Sequence, residues 1–112
     1  MGAALIKPLA IVESERAQRA LQHGILEGTP ELVIEVVSTF DSAEKMNTYR
    51  RLCLADRTLA FWAVYPGGEI QVYSKDQRTA PIYEIGDSVP ISLQGVEAVI
   101  PLRDVFAGIT LR

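Results

Sequence analysis

The sequence contains few of the residues that build metal centres or covalent cross-links. Among its 112 residues it has one cysteine, Cys53, and one histidine, His23. A single cysteine excludes a disulfide framework and a multi-cysteine zinc site, and a single histidine excludes every His-rich metal site. A membrane-spanning helix requires about 18 consecutive apolar residues, and no stretch of the sequence approaches that length. We therefore expect a soluble, cytoplasmic protein with no membrane partner.

The sequence also lacks an excess of positive charge. Its 11 Lys and Arg residues are outnumbered by 14 Asp and Glu residues, which gives a net charge of −3. Proteins that bind nucleic acid through counterion release usually carry clustered basic residues. The densest basic group, Lys45, Arg50, Arg51 and Arg57, falls in one predicted helix, and we interpret it as a solvated helix face. A metal-dependent nuclease is still possible, because a bound cation can supply the local positive charge.

Apolar periodicity and turn residues predict strands that alternate with helices in a single domain, residues 1–112. The predicted strands are residues 8–12, beginning after Pro8, and residues 31–38, 58–65, 69–74, 82–84 and 88–91. The predicted helices are residues 13–23, ending at Gly24, a helix from a cap at Asp41 or Ser42 to about Ala55, and residues 101–106. This order predicts an α/β fold with a mixed sheet.

The predicted strand at residues 31–38 contains the most informative polar residue. Its positions are apolar from Leu32 to Val37 except at Glu35, as expected for a strand that is covered on both faces. A buried carboxylate costs several kcal/mol unless it is paired, hydrogen-bonded or metal-bound. Glu35 is therefore either the partner of an arginine or a metal ligand. Glu31 lies on the same face about 13 Å away, and we favour an exposed carboxylate there over a second ligand.

The predicted helix that runs to about Ala55 has one face that we expect to be buried. Residues at helical spacing make up this buried stripe, namely Ala43, Met46, Tyr49, Leu52 and Cys53. Cys53 is expected to pack as a small hydrophobic residue. Lys45 lies in the first turns of the helix and could lean back over the end of the strand, although lysines on amphipathic helices are usually solvated.

An ordered series of short motifs resembles a known family. The series consists of residues 29–38 (TPELVIEVVS), 41–43 (DSA), 46–47 (MN), 52–55 (LCLA), 61–66 (FWAVYP), 72–73 (VY), 86–87 (GD) and 101–108 (PLRDVFAG). Over about residues 8–108 it resembles the Uma-two family of restriction endonucleases, within the PD-(D/E)XK nuclease superfamily. The resemblance implies a restriction-endonuclease-like core and cleavage of DNA phosphodiesters, with Mg²⁺ or Mn²⁺ as cofactor.

Residue by residue, the resemblance retains the family's site unevenly. Glu35 occupies the position of the family's glutamate, and the resemblance implies that it is a catalytic residue and a metal ligand. Glu31 occupies a position where the family usually has an aspartate, and the resemblance implies that it is a second metal ligand. An ungapped count places the family's lysine at Tyr49. Lys45, one turn earlier on the same face, is the candidate catalytic lysine. A further aspartate of the family corresponds to Leu9.

These departures imply weakened or lost activity. Family members also carry a longer N-terminal region, so this chain resembles a family core without its N-terminal part, and an uncovered sheet edge would recruit a partner. Two functions remain open. The chain is a metal-dependent endonuclease that acts on DNA, or it is a catalytically inactive structural or interaction module that forms a homo-oligomer, such as a dimer, or pairs with another protein.

Overall fold

Eight strands and three helices make up the part of the chain that the computed structural model describes, which is residues 3–6, 10–24, 28–37, 43–93 and 95–108. The strands are β1 (Ala3–Ile6), β2 (Ala10–Glu13), β3 (Leu32–Val36), β4 (Ala60–Tyr65), β5 (Glu69–Ser74), β6 (Ile82–Glu84), β7 (Ser88–Leu93) and β8 (Val96–Pro101). The helices are α1 (Ser14–His23), α2 (Ala43–Ala55) and α3 (Leu102–Gly108).

The strands form one mixed sheet and one separate ribbon. Strands β1 to β6 follow one another across a six-stranded sheet, and β7 pairs with β8 in a two-stranded antiparallel ribbon. Within the sheet β3 and β4 are parallel, and the other neighbours are antiparallel. The parallel pair needs a crossover connection, and α2 lies between these two strands in the chain. The predicted mixed sheet is therefore confirmed.

Two apolar clusters cover the two faces of the sheet. The larger cluster joins alternate residues of β3, β4 and β5 to the β7–β8 ribbon and α3, with Leu32, Ile34, Trp62, Val64, Ile70, Val72, Val89 and Leu102 all buried. The smaller cluster joins Val33 and Phe61 to Cys53 of α2. Because side chains alternate along a strand, β3 contributes to both clusters, as its apolar composition predicted.

Several predicted elements are confirmed and others need correction. Helix α1 ends at Gly24, which adopts a φ of +76° and donates its N–H to the Ala20 carbonyl at 2.7 Å. The proposed caps of α2 and the start of the first predicted strand lie outside the described residues. Strands β1 and β8 were not predicted. Among the described residues, no helix is long and apolar enough to cross a membrane.

The predicted buried stripe of α2 is partly wrong. Cys53 is 1% exposed and Met46 packs against the smaller cluster, as expected. Leu52, however, is 65% exposed, and Ala43 is exposed as well. Consecutive residues of a helix point about 100° apart, so the residue beside the buried Cys53 turns away from the sheet. On the other side of Cys53, Leu54 packs against the smaller cluster instead.

Thr29 fastens the start of β3 to the turn between α2 and β4. Its hydroxyl accepts the backbone N–H groups of Arg57 and Thr58, both at 3.0 Å, and its own N–H donates to the Asp56 carboxylate at 2.8 Å. The hydroxyl of the buried Thr58 donates to the Pro30 carbonyl at 2.6 Å. These bonds satisfy the backbone donors that follow the last turn of α2.

Replacement of Thr29 by valine should destabilise the fold. The substitution keeps the branched shape but removes one acceptor from each of two backbone N–H groups. The Thr58 N–H keeps the Cys53 carbonyl at 3.2 Å, so we expect the loss of a net hydrogen-bond contribution, about 0.5–1.5 kcal/mol. Urea denaturation should show a loss of that size in the free energy of unfolding. The control, Thr48→Val on the exposed surface of α2, should change stability by less than about 0.5 kcal/mol. Equal losses in both variants would contradict this role of Thr29.

Candidate functional site

Glu35 occupies the sheet face that α2 covers. It is half-buried, and it follows Val33 by two residues, so both side chains lie on the same face of β3. Its neighbour in the parallel register is Ala63 of β4, whose own neighbour on β5 is Gln71. A small alanine beside the glutamate leaves space next to the carboxylate, below α2.

Two residues of α2 share the electrostatic environment of Glu35. Tyr49 and Cys53 lie one helical turn apart on α2, and both interact with the charge of Glu35. Burial first, then the interactions with Cys53, and last the charge of Glu35 raise the pKa of Tyr49 from 10.0 to about 12. Burial also raises the pKa of the Cys53 thiol, to which Glu35 adds a smaller effect. At neutral pH Tyr49 is therefore a neutral phenol and Cys53 a neutral thiol.

The raised pKa of Tyr49 predicts a loss of stability in alkali. Between about pH 10 and pH 12 the unfolded chain releases the Tyr49 proton while the folded chain keeps it, so the free energy of unfolding falls as the pH rises. Tyr49→Phe removes this contribution and should flatten the decline. Urea denaturation at a series of pH values measures both slopes. The same slope in the two proteins would contradict the assignment.

Glu31 is buried and ion-paired, which corrects the expectation of an exposed carboxylate. It is 3% exposed, and its carboxylate pairs with Arg16 of α1, which is 7% exposed. A second guanidinium nitrogen of Arg16 donates to the Thr29 carbonyl at 2.8 Å. Buried charges are tolerated when they are paired and hydrogen-bonded, so this ion pair explains how a glutamate can stand just before β3.

Removal of Arg16 should destabilise the protein strongly. Arg16→Met leaves Glu31 buried without its cation, and the loss of one partner from a buried pair costs about 3–5 kcal/mol. The double variant Arg16→Met, Glu31→Met should recover most of that loss, because no charge then stays buried. Chemical denaturation measures all three proteins, with Arg19→Met on the exposed side of α1 as the control. A double variant no more stable than Arg16→Met would contradict the pairing.

Lys45 lies on an exposed stretch of α2, one turn before Tyr49. Tyr49 is one α2 residue that interacts electrostatically with Glu35, whose charge contributes to its raised pKa. The ring of Tyr49 also packs edge-on against Phe61, with centroids 5.7 Å apart. A catalytic role for Lys45 therefore stays a prediction, and position 49 holds a packed aromatic residue.

The donors of the described residues do not fit a magnesium site. Mg²⁺ binds oxygen ligands in near-octahedral geometry, and the two α2 side chains that interact with the charge of Glu35 are a protonated phenol and a protonated thiol. Glu31 is paired with Arg16. In the ranges given above, no three His, Cys, Asp or Glu residues are grouped so that they could hold a metal ion. No catalytic step is therefore assigned to a metal.

A cavity of about 180 Å³ lies between α2 and the sheet on the same face as Glu35. Its walls are Val37, Ala43, Met46, Asn47, Arg50, Phe61, Ala63, Tyr65 and Tyr73. The guanidinium of Arg50 lies over the Tyr73 ring, 4.1 Å from its centroid, and donates to the Asn47 side-chain oxygen at 2.9 Å.

Sequence reasoning missed this cavity because it interpreted Arg50 as part of a solvated face. The other members of that basic group, Lys45, Arg51 and Arg57, are exposed as predicted, whereas Arg50 is half-buried. The spacing from Asn47 to Arg50 allows contact on a helix, but the contact with Tyr73 joins residues that are distant in the sequence. Only the fold brings them together.

Comparisons with known proteins identify the fold. No family model matches the sequence, and no curated protein matches it. A crystal structure from Anabaena variabilis ATCC 29413, described as that of "a putative nuclease belonging to DUF820", aligns with 88% of this chain at a TM-score of 0.68 and 21% sequence identity. This chain spans 57% of the length of that protein. The fold of this chain is therefore nuclease-like.

Proposed function

We propose that this chain is a nucleic-acid-binding protein of nuclease-like fold in which DNA hydrolysis is weakened or lost. On this proposal it is a relative of the Uma-two endonucleases within the PD-(D/E)XK superfamily. The observation that carries the proposal is the buried ion pair between Arg16 and Glu31. The pair engages the carboxylate that the resemblance implies as the second ligand of Mg²⁺ or Mn²⁺.

The chemistry around Glu35 supports the same conclusion. Hydrolysis of a phosphodiester needs positive charge at the phosphate, from a metal ion or a basic side chain. Tyr49, at the position where the resemblance places a lysine, keeps its proton to about pH 12. A neutral phenol can donate a hydrogen bond to a phosphate oxygen, but it supplies no positive charge. On this proposal, the residue at position 49 cannot supply the positive charge that the family's lysine would bring to a phosphate near Glu35.

A role as an interaction module is the second candidate function. The short strand β6 lies at one edge of the sheet; Ile82, its first residue, is 59% exposed, and Ile85, which follows it, is 53% exposed. Val99 on β8 is 65% exposed. Exposed apolar residues at a sheet edge favour association with another chain, either a second copy or a different protein.

Plasmid nicking tests the proposed function. We expect the purified chain to nick supercoiled DNA no faster than its Glu35→Ala variant, with Mg²⁺ or with Mn²⁺, because the ligands needed for either ion are incomplete. The control is Glu44→Ala, which removes an exposed carboxylate on α2. Metal-dependent nicking that is lost in Glu35→Ala and kept in Glu44→Ala would show an active endonuclease and overturn the proposal.

Thermal melting with the same two ions gives an independent readout. A ligand that binds only the folded state raises the melting temperature in proportion to its affinity and concentration. We expect no difference between the shifts that millimolar Mg²⁺ or Mn²⁺ causes in the wild type and in Glu35→Ala. A rise that requires Glu35 would identify a metal site that this proposal excludes.

A further inference from the structure

We propose that the cavity between α2 and the sheet holds one unstacked nucleobase of a single-stranded nucleic acid. The inference rests on the proposed function, which it deepens by naming the chemical group that the protein recognises. It depends on the size of the cavity, on the apolar character of its floor and on the polar side chains held at its wall.

The size and floor of the cavity suit a flat, mostly apolar group. Pockets for complete drug-sized ligands measure about 300–1,000 Å³, so a cavity of about 180 Å³ fits one ring system rather than a whole nucleotide. Phe61 and Ala63, both buried, face it from β4, and Met46 faces it from α2. Transfer of a phosphate to such surroundings is unfavourable because charge loses its hydration, which favours the base.

The polar groups at the wall are held in place by the protein itself. The Tyr73 hydroxyl donates to the Gln71 side-chain oxygen at 3.0 Å, and the Gln71 amide donates to the Ala80 carbonyl at 3.2 Å. Tyr73 in turn carries the Arg50 guanidinium on its ring, and Arg50 donates to Asn47. Groups that are ordered in advance lose less conformational entropy when a ligand binds.

Arginine, asparagine and tyrosine are the residue types that recognise an unstacked base. Arginine and asparagine hydrogen-bond to base edges, and aromatic rings and guanidinium planes stack on base faces. The cavity combines Arg50, Asn47, Tyr65 and Tyr73 in its lining. The chain as a whole carries a net charge of −3. Recognition through the base therefore fits this protein better than a row of phosphate contacts, and it predicts a weak dependence of affinity on salt.

Fluorescence polarisation with two labelled oligonucleotides tests the proposal. One is a short single-stranded DNA of mixed sequence, and the other is an abasic strand of equal length, which keeps the phosphates and lacks the bases. We expect the abasic strand to bind about tenfold more weakly, since one stacked base contributes on the order of a tenfold change in affinity. Equal affinity for the two strands would overturn the proposal.

Matched variants locate the contact. Arg50→Ala and Tyr73→Leu should each weaken binding of the mixed-sequence strand about tenfold, whereas Arg51→Ala removes the same charge from an exposed position of α2 and should have little effect. Ala43→Trp places a large ring at the exposed rim of the cavity and should also block binding. Melting curves confirm that each variant is folded, and Ala43→Trp keeps the test valid if Tyr73→Leu unfolds.

The outcomes separate this proposal from the proposed function. Wild-type binding that Arg50→Ala and Arg51→Ala reduce equally, and that Ala43→Trp leaves unchanged, would overturn the base pocket while nucleic-acid binding stands. A wild-type chain that binds neither strand would contradict both proposals. The nicking experiment does not depend on either result, because it reports on Glu35.

Discussion

The parallel pairing of β3 with β4 is the constraint on which the rest of the described structure depends. Two parallel neighbours cannot be joined by a tight turn, so the chain has to cross over the sheet, and α2 is the helical part of that crossover. The helix covers one face of β3, while the β7–β8 ribbon and α3 cover the other. A strand covered on both faces is apolar at nearly every position, and this makes Glu35 conspicuous.

The polar groups at the two ends of β3 differ in what they contact. Just before its start, polar groups bind other parts of the protein, because Glu31 pairs with Arg16 and Thr29 hydrogen-bonds to the turn after α2. These interactions are satisfied within the protein and leave little for a ligand. Toward its end, the cavity between α2 and the sheet lies beside Val37, and Glu35 is only half-buried. The start of the strand therefore stabilises the fold, and the cavity that we propose as a binding site lies toward its end.

Local signals in the sequence predicted the elements that depend on local physics. Gly24 ends α1, the turn after Tyr65 joins β4 to β5, and the apolar run with Glu35 forms β3. The partner of Glu31 was not predictable, because Arg16 lies 15 residues away and nothing in the spacing selects it from the other arginines. The placement of Leu52 was wrong because apolar spacing alone does not fix the rotation of a helix on the sheet; Cys53 and Leu54 face the smaller cluster and Leu52 faces away.

On the proposed function, position 49 illustrates how a nuclease-like fold could keep its stability while its site chemistry changes. The resemblance to endonucleases places a lysine there, where an ammonium beside Glu35 would act on a phosphate. Tyr49 instead packs edge-on against Phe61, with centroids 5.7 Å apart, and such aromatic pairs contribute about 0.5–1.5 kcal/mol beyond their burial. Where the resemblance places a positively charged side chain, the tyrosine provides a ring that packs against β4. This contact stabilises the packing of α2 on the sheet. Because fold stability and site chemistry depend on different properties of the same side chain, the first can be kept while the second is lost.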